Sequence, residues 1–74
     1  MITIYKTEHL RWEGNISVDF YVLFADYATD IPTSIAAKRA VIGNEHKMAQ
    51  GTVVYVIDTG EAYMLETDGT WKKQ

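Results

Sequence analysis

The chain has 74 residues, no cysteine, and seven basic against ten acidic residues, giving a formal net charge of −3. This length is near the lower limit for a domain that folds alone, and the lack of cysteine excludes both a disulfide framework and a thiolate metal site. The acidic balance argues against a general nucleic-acid binder, whose affinity comes from neutralising phosphates. Hydrophobic residues make up 47% of the chain, too many for a disordered one. We therefore expect one small globular domain spanning residues 1–74.

No targeting or membrane segment is apparent in the sequence. The first eight residues lack the positively charged region and apolar stretch of a secretory signal. The longest apolar region, residues 20–25, is far shorter than the roughly 20 residues that span a bilayer. We expect a soluble chain that is made in a cytoplasm and has no membrane partner.

Alternation of side chains predicts two strands in the first third of the chain. Residues 2–6 alternate over a short stretch, and Gly14-Asn15 then predicts a turn. Residues 16–25 form the strongest strand pattern. One of its faces is wholly apolar and is expected to face the core: Ile16, Val18, Phe20, Val22 and Phe24. The opposite face begins with Ser17 and Asp19 and becomes apolar at Tyr21 and Leu23, which predicts cover by another element or another subunit.

The middle of the chain is harder to interpret. Pro32 lies in a connector over residues 27–34, after which Thr33 or Ser34 could cap a short helix near residues 34–42. The apolar residues there make no clean helical stripe, and Val41 and Ile42 are β-branched. The pattern leaves a short helix, an irregular loop and an extra strand open.

The last third predicts a three-stranded antiparallel meander. Residues 52–58 are predicted to form a central strand because they are apolar on both faces. Asp58-Thr59-Gly60 then predicts a turn, since Asp and Gly are favoured at turn positions. Residues 62–66 run back, Asp68-Gly69 predicts a two-residue hairpin turn, and residues 70–73 form a third strand. The expected fold is mainly β, a small antiparallel sheet or barrel-like sandwich, with at most one short helix.

The triplet Asp58-Thr59-Gly60, preceded by Val56-Ile57, also occurs in aspartic proteases, where two copies of the Asp share a proton. The chain is too short for that fold, and it offers no second apolar strand to brace such a loop. Because a turn accounts for both the Asp and the Gly, we interpret the triplet as structural.

The remaining polar residues do not form a recognisable catalytic or metal site. His9 and His46 each follow a Glu but have no partner at metal-ligand spacing, so surface positions are expected. Ser17 and Ser34 do not lie in a nucleophile-elbow context, and the five glycines are scattered at turns. We expect no enzyme activity, catalytic residue, cofactor, metal or small-molecule substrate.

Nine aromatic residues give the chain its largest apolar side chains. Phe20, Phe24 and Tyr55 are expected in the core, whereas the sequence leaves core and interface equally open for the two tryptophans and Tyr63. The candidate interface residues are Trp12, Tyr21, Leu23, Tyr63 and Trp71.

The C-terminal pattern resembles a family of small bacteriophage and prophage proteins. The resemblance rests on residues 51–65, a strand, Asp-Thr-Gly and a returning strand, followed by Asp68-Gly69-Thr70-Trp71. Asp30-Ile31-Pro32-Thr33 is similar to the linker of these proteins, and residues 5–14 are similar to the opening of some of them. Residues 35–50 depart from the pattern, which has a shorter linker there.

The resemblance implies a virion structural or accessory protein, such as a head decoration, neck or tail component. It implies assembly through protein–protein contacts, as a homo-oligomer or on capsid, neck or tail proteins, and a location in the virion. Two alternatives stay open. One is a carbohydrate-binding module that stacks sugars on Trp12, Tyr63 and Trp71, and the other is a phage inhibitor of a host defence protein.

Overall fold

The computed structural model describes residues 1–74 and shows one mainly β domain built on a single sheet. The elements in chain order are β1 (Ile2–Glu13), β2 (Ile16–Ala25), a 3₁₀ turn (Ala28–Asp30), α1 (Ile35–Ile42), β3 (His46–Met48), β4 (Val53–Val56), β5 (Glu61–Leu65) and β6 (Trp71–Lys73). The mainly β fold and the C-terminal meander are therefore confirmed, and of the three possibilities left open near residues 34–42 the structure has the short helix. No helix has the length and apolar character needed to cross a membrane.

The sheet is open and mixed. Its strand order is β1-β2-β4-β5-β6, with β3 paired to the first half of β2 and β4 paired to the second half. Both of these pairings are parallel, whereas the β1–β2 hairpin and the β4–β5–β6 meander are antiparallel. Between β3 and β4, the Thr52 hydroxyl accepts a hydrogen bond from the Tyr21 backbone N–H at 3.3 Å, so the side chain bridges the gap. The end strands β1 and β6 do not pair with each other, so the sheet does not close into a barrel.

The hydrophobic core lies on the opposite face of β2 from the one that alternation predicts. Tyr21, Leu23 and Ala25 are buried, and they pack with Met48, Val54 and Leu65. Ile31 and Ile42, from the segment between β2 and β3, cover this cluster in part. The expectation that the even-numbered side chains of β2 face the core is wrong for four of the five, which keep intermediate exposure: Ile16, Phe20, Val22 and Phe24. Val18 of that face is fully buried.

The first strand is longer than the alternation over residues 2–6 indicates. β1 continues to Glu13 because it stays paired with β2 along that length, and two shifts of register leave Tyr5 and Leu10 as bulge residues. A bulge adds one residue and so interrupts the alternation of side chains, which is why alternation alone predicts a shorter strand. Almost all of β1 is exposed, and its outer edge pairs with no other strand of the sheet.

The helix begins and ends with local signals. The Ser34 hydroxyl accepts a hydrogen bond from the Ala37 N–H at 3.0 Å, and Gly43 ends the helix with a φ of +94°. Residues 66–70 lie between β5 and β6, and the Glu66–Thr70 pair closes a three-residue loop, 67–69, rather than the predicted two-residue turn. The Glu66 N–H bonds to the Thr70 carbonyl, and Gly69 has a φ of +88°, the geometry of a three-residue hairpin loop.

Candidate functional site

The face of the sheet opposite the core carries an uncovered apolar surface. We call the face with the even-numbered side chains of β2 the outer face. It presents a contiguous set that we call the outer patch: Tyr5, Val22, Phe24, Val53, Tyr55, Ala62 and Met64. The residues of β2, β4 and β5 lie in register, whereas the bulge residue Tyr5 joins them through its contact with the Phe24 ring. Tyr5 is 71% exposed, Tyr55 44% and Met64 41%. Exposed apolar side chains that lie together, rather than singly, are typical of interaction surfaces.

Three aromatic rings form the centre of the outer patch. The Phe24 ring meets the Tyr5 ring edge to face, with centroids 5.3 Å apart, and stacks on the Tyr55 ring at 5.7 Å. These contacts fix the rings relative to one another, because aromatic pairs favour edge and offset geometries. The expectation that Phe24 and Tyr55 are core residues is therefore wrong: they pack on each other at the surface.

A buried carboxylate lies on the core side of the same strand. Asp19 is 2% exposed, and its two oxygens accept four hydrogen bonds. The Ser17 hydroxyl (2.6 Å) and His9 Nδ1 (3.1 Å) reach Oδ1, while His46 Nδ1 (2.8 Å) and the Tyr21 hydroxyl (3.0 Å) reach Oδ2. We call these five residues the Asp19 cluster. It joins β1, β2 and β3 through side chains.

The hydrogen bonds determine the charge of the cluster. Burial by itself would raise the pKa of Asp19, but the hydrogen bonds from Ser17, His46, Tyr21 and His9 outweigh it and hold the pKa well below its usual range. Burial, together with the adjacent carboxylate, raises the pKa of the Tyr21 hydroxyl well above its usual range. Asp19 is thus ionised and Tyr21 neutral, with the tyrosine as donor.

The cluster contains a Ser, a His and an Asp, but its geometry is not that of a nucleophilic triad. In a triad the serine and the aspartate contact opposite nitrogens of the imidazole. Here His9 Nδ1 lies 2.7 Å from the Ser17 hydroxyl and 3.1 Å from Asp19, so one nitrogen serves both. The serine hydroxyl points at the carboxylate, and the arrangement fixes three strands together.

Both histidines occupy positions that the sequence prediction placed simply at the surface. Their side chains are about half exposed, 45% for His9 and 44% for His46, and each directs Nδ1 inward to Asp19. The sequence carries one signal of this cluster, a charged residue in the middle of an apolar strand with Ser and Tyr two positions away on the same face. The histidines could not be assigned to it, because they reach Asp19 from two other strands.

The predicted interface residues fall into three environments. Tyr21 and Leu23 lie in the core of the chain, at 3% and 0% exposure, so we exclude them from the exposed surface. Tyr63 and Trp71 are half buried against the core cluster, and the Trp71 indole N–H donates to the Pro32 carbonyl at 2.7 Å. Trp12 is 67% exposed, with its ring 5.1 Å from that of His9. The aromatic platform expected for sugar stacking is thus not assembled from Trp12, Tyr63 and Trp71.

A cleft of about 520 Å³ opens where α1 meets β3 and the loop between β5 and β6. Ile35, Ile42 and Met48 are among its apolar lining residues, and Lys38 crosses it to donate to the Gly69 carbonyl at 2.6 Å. Burial lowers the pKa of Lys38. The lysine therefore ties the helix to the loop.

The triplet Asp58-Thr59-Gly60 forms the turn between β4 and β5. The Gly60 N–H bonds to the Val56 carbonyl, and the Asp58 N–H bonds to the Asp26 carbonyl. Gly60 has a φ of +73°, which explains the glycine. These contacts give the triplet a structural role.

Comparison of the chain with protein-family models, with curated proteins and with solved structures gave no match.

Proposed function

We propose that this chain is a bacteriophage or prophage virion protein, a head decoration, neck or tail component, that works by protein–protein assembly. The observation that carries the proposal is the outer patch, in which an ordered aromatic row stays exposed on a sheet face that no other element covers. The sequence resemblance to small phage proteins supports the same role. The proposed occupant of the patch is an apolar, shape-matched surface of another virion subunit.

The isolated chain leaves much of its apolar surface exposed to water. A chain of this size has a small core, and here only nine hydrophobic residues are buried. Covering the outer patch would remove further apolar surface from water at about 25 cal/mol per Å², a gain that the isolated chain forgoes. A small subunit whose burial is completed on a particle suits an accessory role.

The Asp19 cluster serves this role by holding the strands in register. It fixes β1 and β3 to β2 through one ionised carboxylate, on the face opposite the outer patch. A surface that is ordered before binding loses less conformational entropy when it docks.

The test is mass spectrometry of purified particles from a lysate in which the chain is expressed, with copy number measured relative to the major capsid protein. Stoichiometric recovery supports the proposal, with many copies indicating the head or tail tube and a few copies the neck or tip. Absence from particles despite expression in infected cells would overturn it. Capture of one host protein at equal stoichiometry would then favour the inhibitor alternative.

A paired set of variants connects incorporation to the outer patch. Tyr5→Ser with Tyr55→Ser removes two exposed rings of the row and is expected to abolish incorporation while leaving the fold intact. Tyr27→Ser is the matched control, because Tyr27 is 58% exposed and lies in the connector after β2. Equal incorporation of both variants would show that the outer patch is not the docking surface.

A further inference from the structure

The unpaired edge of β1 carries a charge pattern that is complementary to itself. Lys6, Glu8, Arg11 and Glu13 pair in register with Val22, Phe20, Val18 and Ile16 of β2, so all four charged side chains belong to the outer face. All four are exposed, and Glu13 also contacts Arg11 at 3.2 Å and Lys47 at 3.3 Å within the chain. Along the strand the signs read plus, minus, plus, minus.

An antiparallel pairing of this edge with a second copy brings opposite charges together at every charged position. When the two-fold axis passes between His9 and Leu10, Lys6 lies opposite the second copy's Glu13, and Glu8 lies opposite its Arg11. The same two pairs recur on the other side of the axis, which gives four favourable pairs in all. Directly opposed residues of antiparallel strands share a face and interact strongly enough to select register.

The bulges of β1 are compatible with this partner and disfavour others. A bulge normally protects an edge strand, because it breaks register with a regular strand. In the two-fold arrangement each Leu10 bulge lies opposite the second copy's His9 beside the axis, so the spacing on both sides stays equal. The Tyr5 bulge lies outside the paired segment of residues 6–13.

We propose that β1 pairs with β1 of a second copy of this chain, about a two-fold axis between His9 and Leu10, forming one continuous sheet across the dimer. Thr7 then lies opposite the second copy's Trp12, which gives the exposed indole a neighbour on the core-side face. The axis is perpendicular to the sheet, so the outer patches of both copies lie on one side. The inference goes beyond the proposed function, because it holds for the chain in or out of a particle.

Charge reversal at one pair tests the arrangement. Lys6→Glu places Glu opposite the native Glu13, and Glu13→Lys places Lys opposite the native Lys6, twice per dimer in each case. Each variant alone is expected to raise the dimer dissociation constant about tenfold, from two exposed cross-strand pairs turned from attraction to repulsion. An equimolar mixture of the two variants restores opposite charges at both positions, so the mixed dimer should regain wild-type affinity.

The measurement is sedimentation equilibrium of the full chain up to millimolar concentration, at low and at high salt. Dimerisation should weaken as salt rises, because exposed charges are screened. Lys72→Glu is the control, since it makes the same charge change on β6 at the other end of the sheet and should leave the dimer unchanged. A wild-type chain that stays monomeric would overturn the proposal, as would a dimer that both reversals leave intact or a mixture that fails to regain affinity.

None of those three outcomes removes the proposed virion role, which depends on recovery from particles. Conversely, a dimer with the expected charge dependence stands even when particles contain no copy of the chain. The two experiments therefore separate the two proposals.

Discussion

Replacing Asp19 by Asn is expected to lower the free energy of unfolding by about 2–3 kcal/mol. The substitution keeps the size and shape of the side chain, so it isolates the charge and the acceptor capacity of the carboxylate. Asp19 is 2% exposed and accepts four hydrogen bonds, from two hydroxyls and two imidazole nitrogens. An amide keeps one acceptor oxygen and places an N–H₂ donor where two donors now point.

The magnitude follows from the number of bonds and the exposure of their donors. A hydrogen bond to a charged group contributes about 1.5–3 kcal/mol, and a neutral one about 0.5–1.5 kcal/mol, so each bond that loses the charge costs roughly 1 kcal/mol. The Tyr21 and Ser17 hydroxyls can rotate and accept from the new amide, which recovers part of the loss. The half-exposed imidazoles of His9 and His46 can turn to water, which limits the sum further.

The assay is equilibrium unfolding in urea, followed by the fluorescence of the two tryptophans and by circular dichroism. The denaturation midpoint should fall while the slope stays the same. Asp58→Asn is the control, because Asp58 is exposed in a turn, and surface changes of this kind are usually within about 0.5 kcal/mol.

A loss for Asp19→Asn no larger than that of the control would refute the reasoning. It would mean that the ionised carboxylate contributes nothing beyond what a neutral amide supplies. An unchanged midpoint in Ser17→Ala would add to that conclusion, since the shortest bond of the cluster comes from this serine.

Acid stability, the Trp71 indole and the cap of α1 can each be tested by one substitution. Because the pKa of Asp19 is lowered in the folded chain, the carboxylate stabilises the fold above its ordinary pKa of 3.8, and this stabilisation is lost as the pH falls below that value. The urea midpoint of the wild-type chain should therefore drop between pH 5 and pH 2. The midpoint of Asp19→Asn should drop less steeply over the same range. Trp71→Phe removes the indole donor to the Pro32 carbonyl and should cost about 1 kcal/mol or more in urea unfolding. Ser34→Ala removes the cap of α1 and should cost about 1 kcal/mol, with reduced helical circular dichroism.

Each of these has an outcome that contradicts it. Parallel pH profiles for wild type and Asp19→Asn would remove the assigned role of the carboxylate in acid stability. A Trp71→Phe chain as stable as wild type would show that the Pro32 carbonyl is equally well satisfied by water. Thr33→Ala is the control for the helix cap. An equal loss of unfolding free energy in Thr33→Ala and Ser34→Ala would show that the Ser34 hydroxyl does not stabilise α1 as a cap.

The sequence by itself determined the features that depend on neighbouring residues. Gly60 and Gly69 mark loops that need positive φ, and the strands between them are short and apolar, so the C-terminal meander could be predicted. Ser34 and Gly43 likewise mark the start and the end of α1, although the sequence did not decide between a helix, a loop and a strand there. These signals are local, because each is satisfied within a few residues of chain.

Only the tertiary structure decided which face of β2 is the core and what surrounds Asp19. Both faces of that strand carry apolar side chains, so alternation alone cannot choose between them. The choice is made by Val54 and Leu65 of the meander and by Met48 of β3, which pack beside Leu23. A period-2 pattern fixes which side chains share a face, and long-range packing fixes which face is buried.

The same limit applies to the Asp19 cluster and to the outer patch. His9 and His46 lie 10 and 27 residues from Asp19 in sequence and converge on it through an antiparallel and a parallel pairing. The parallel pairing depends on the crossover through α1, which no local pattern specifies. Sequence thus determined the elements and their turns, and the tertiary structure decided burial and partnership, because those depend on contacts between strands distant in sequence.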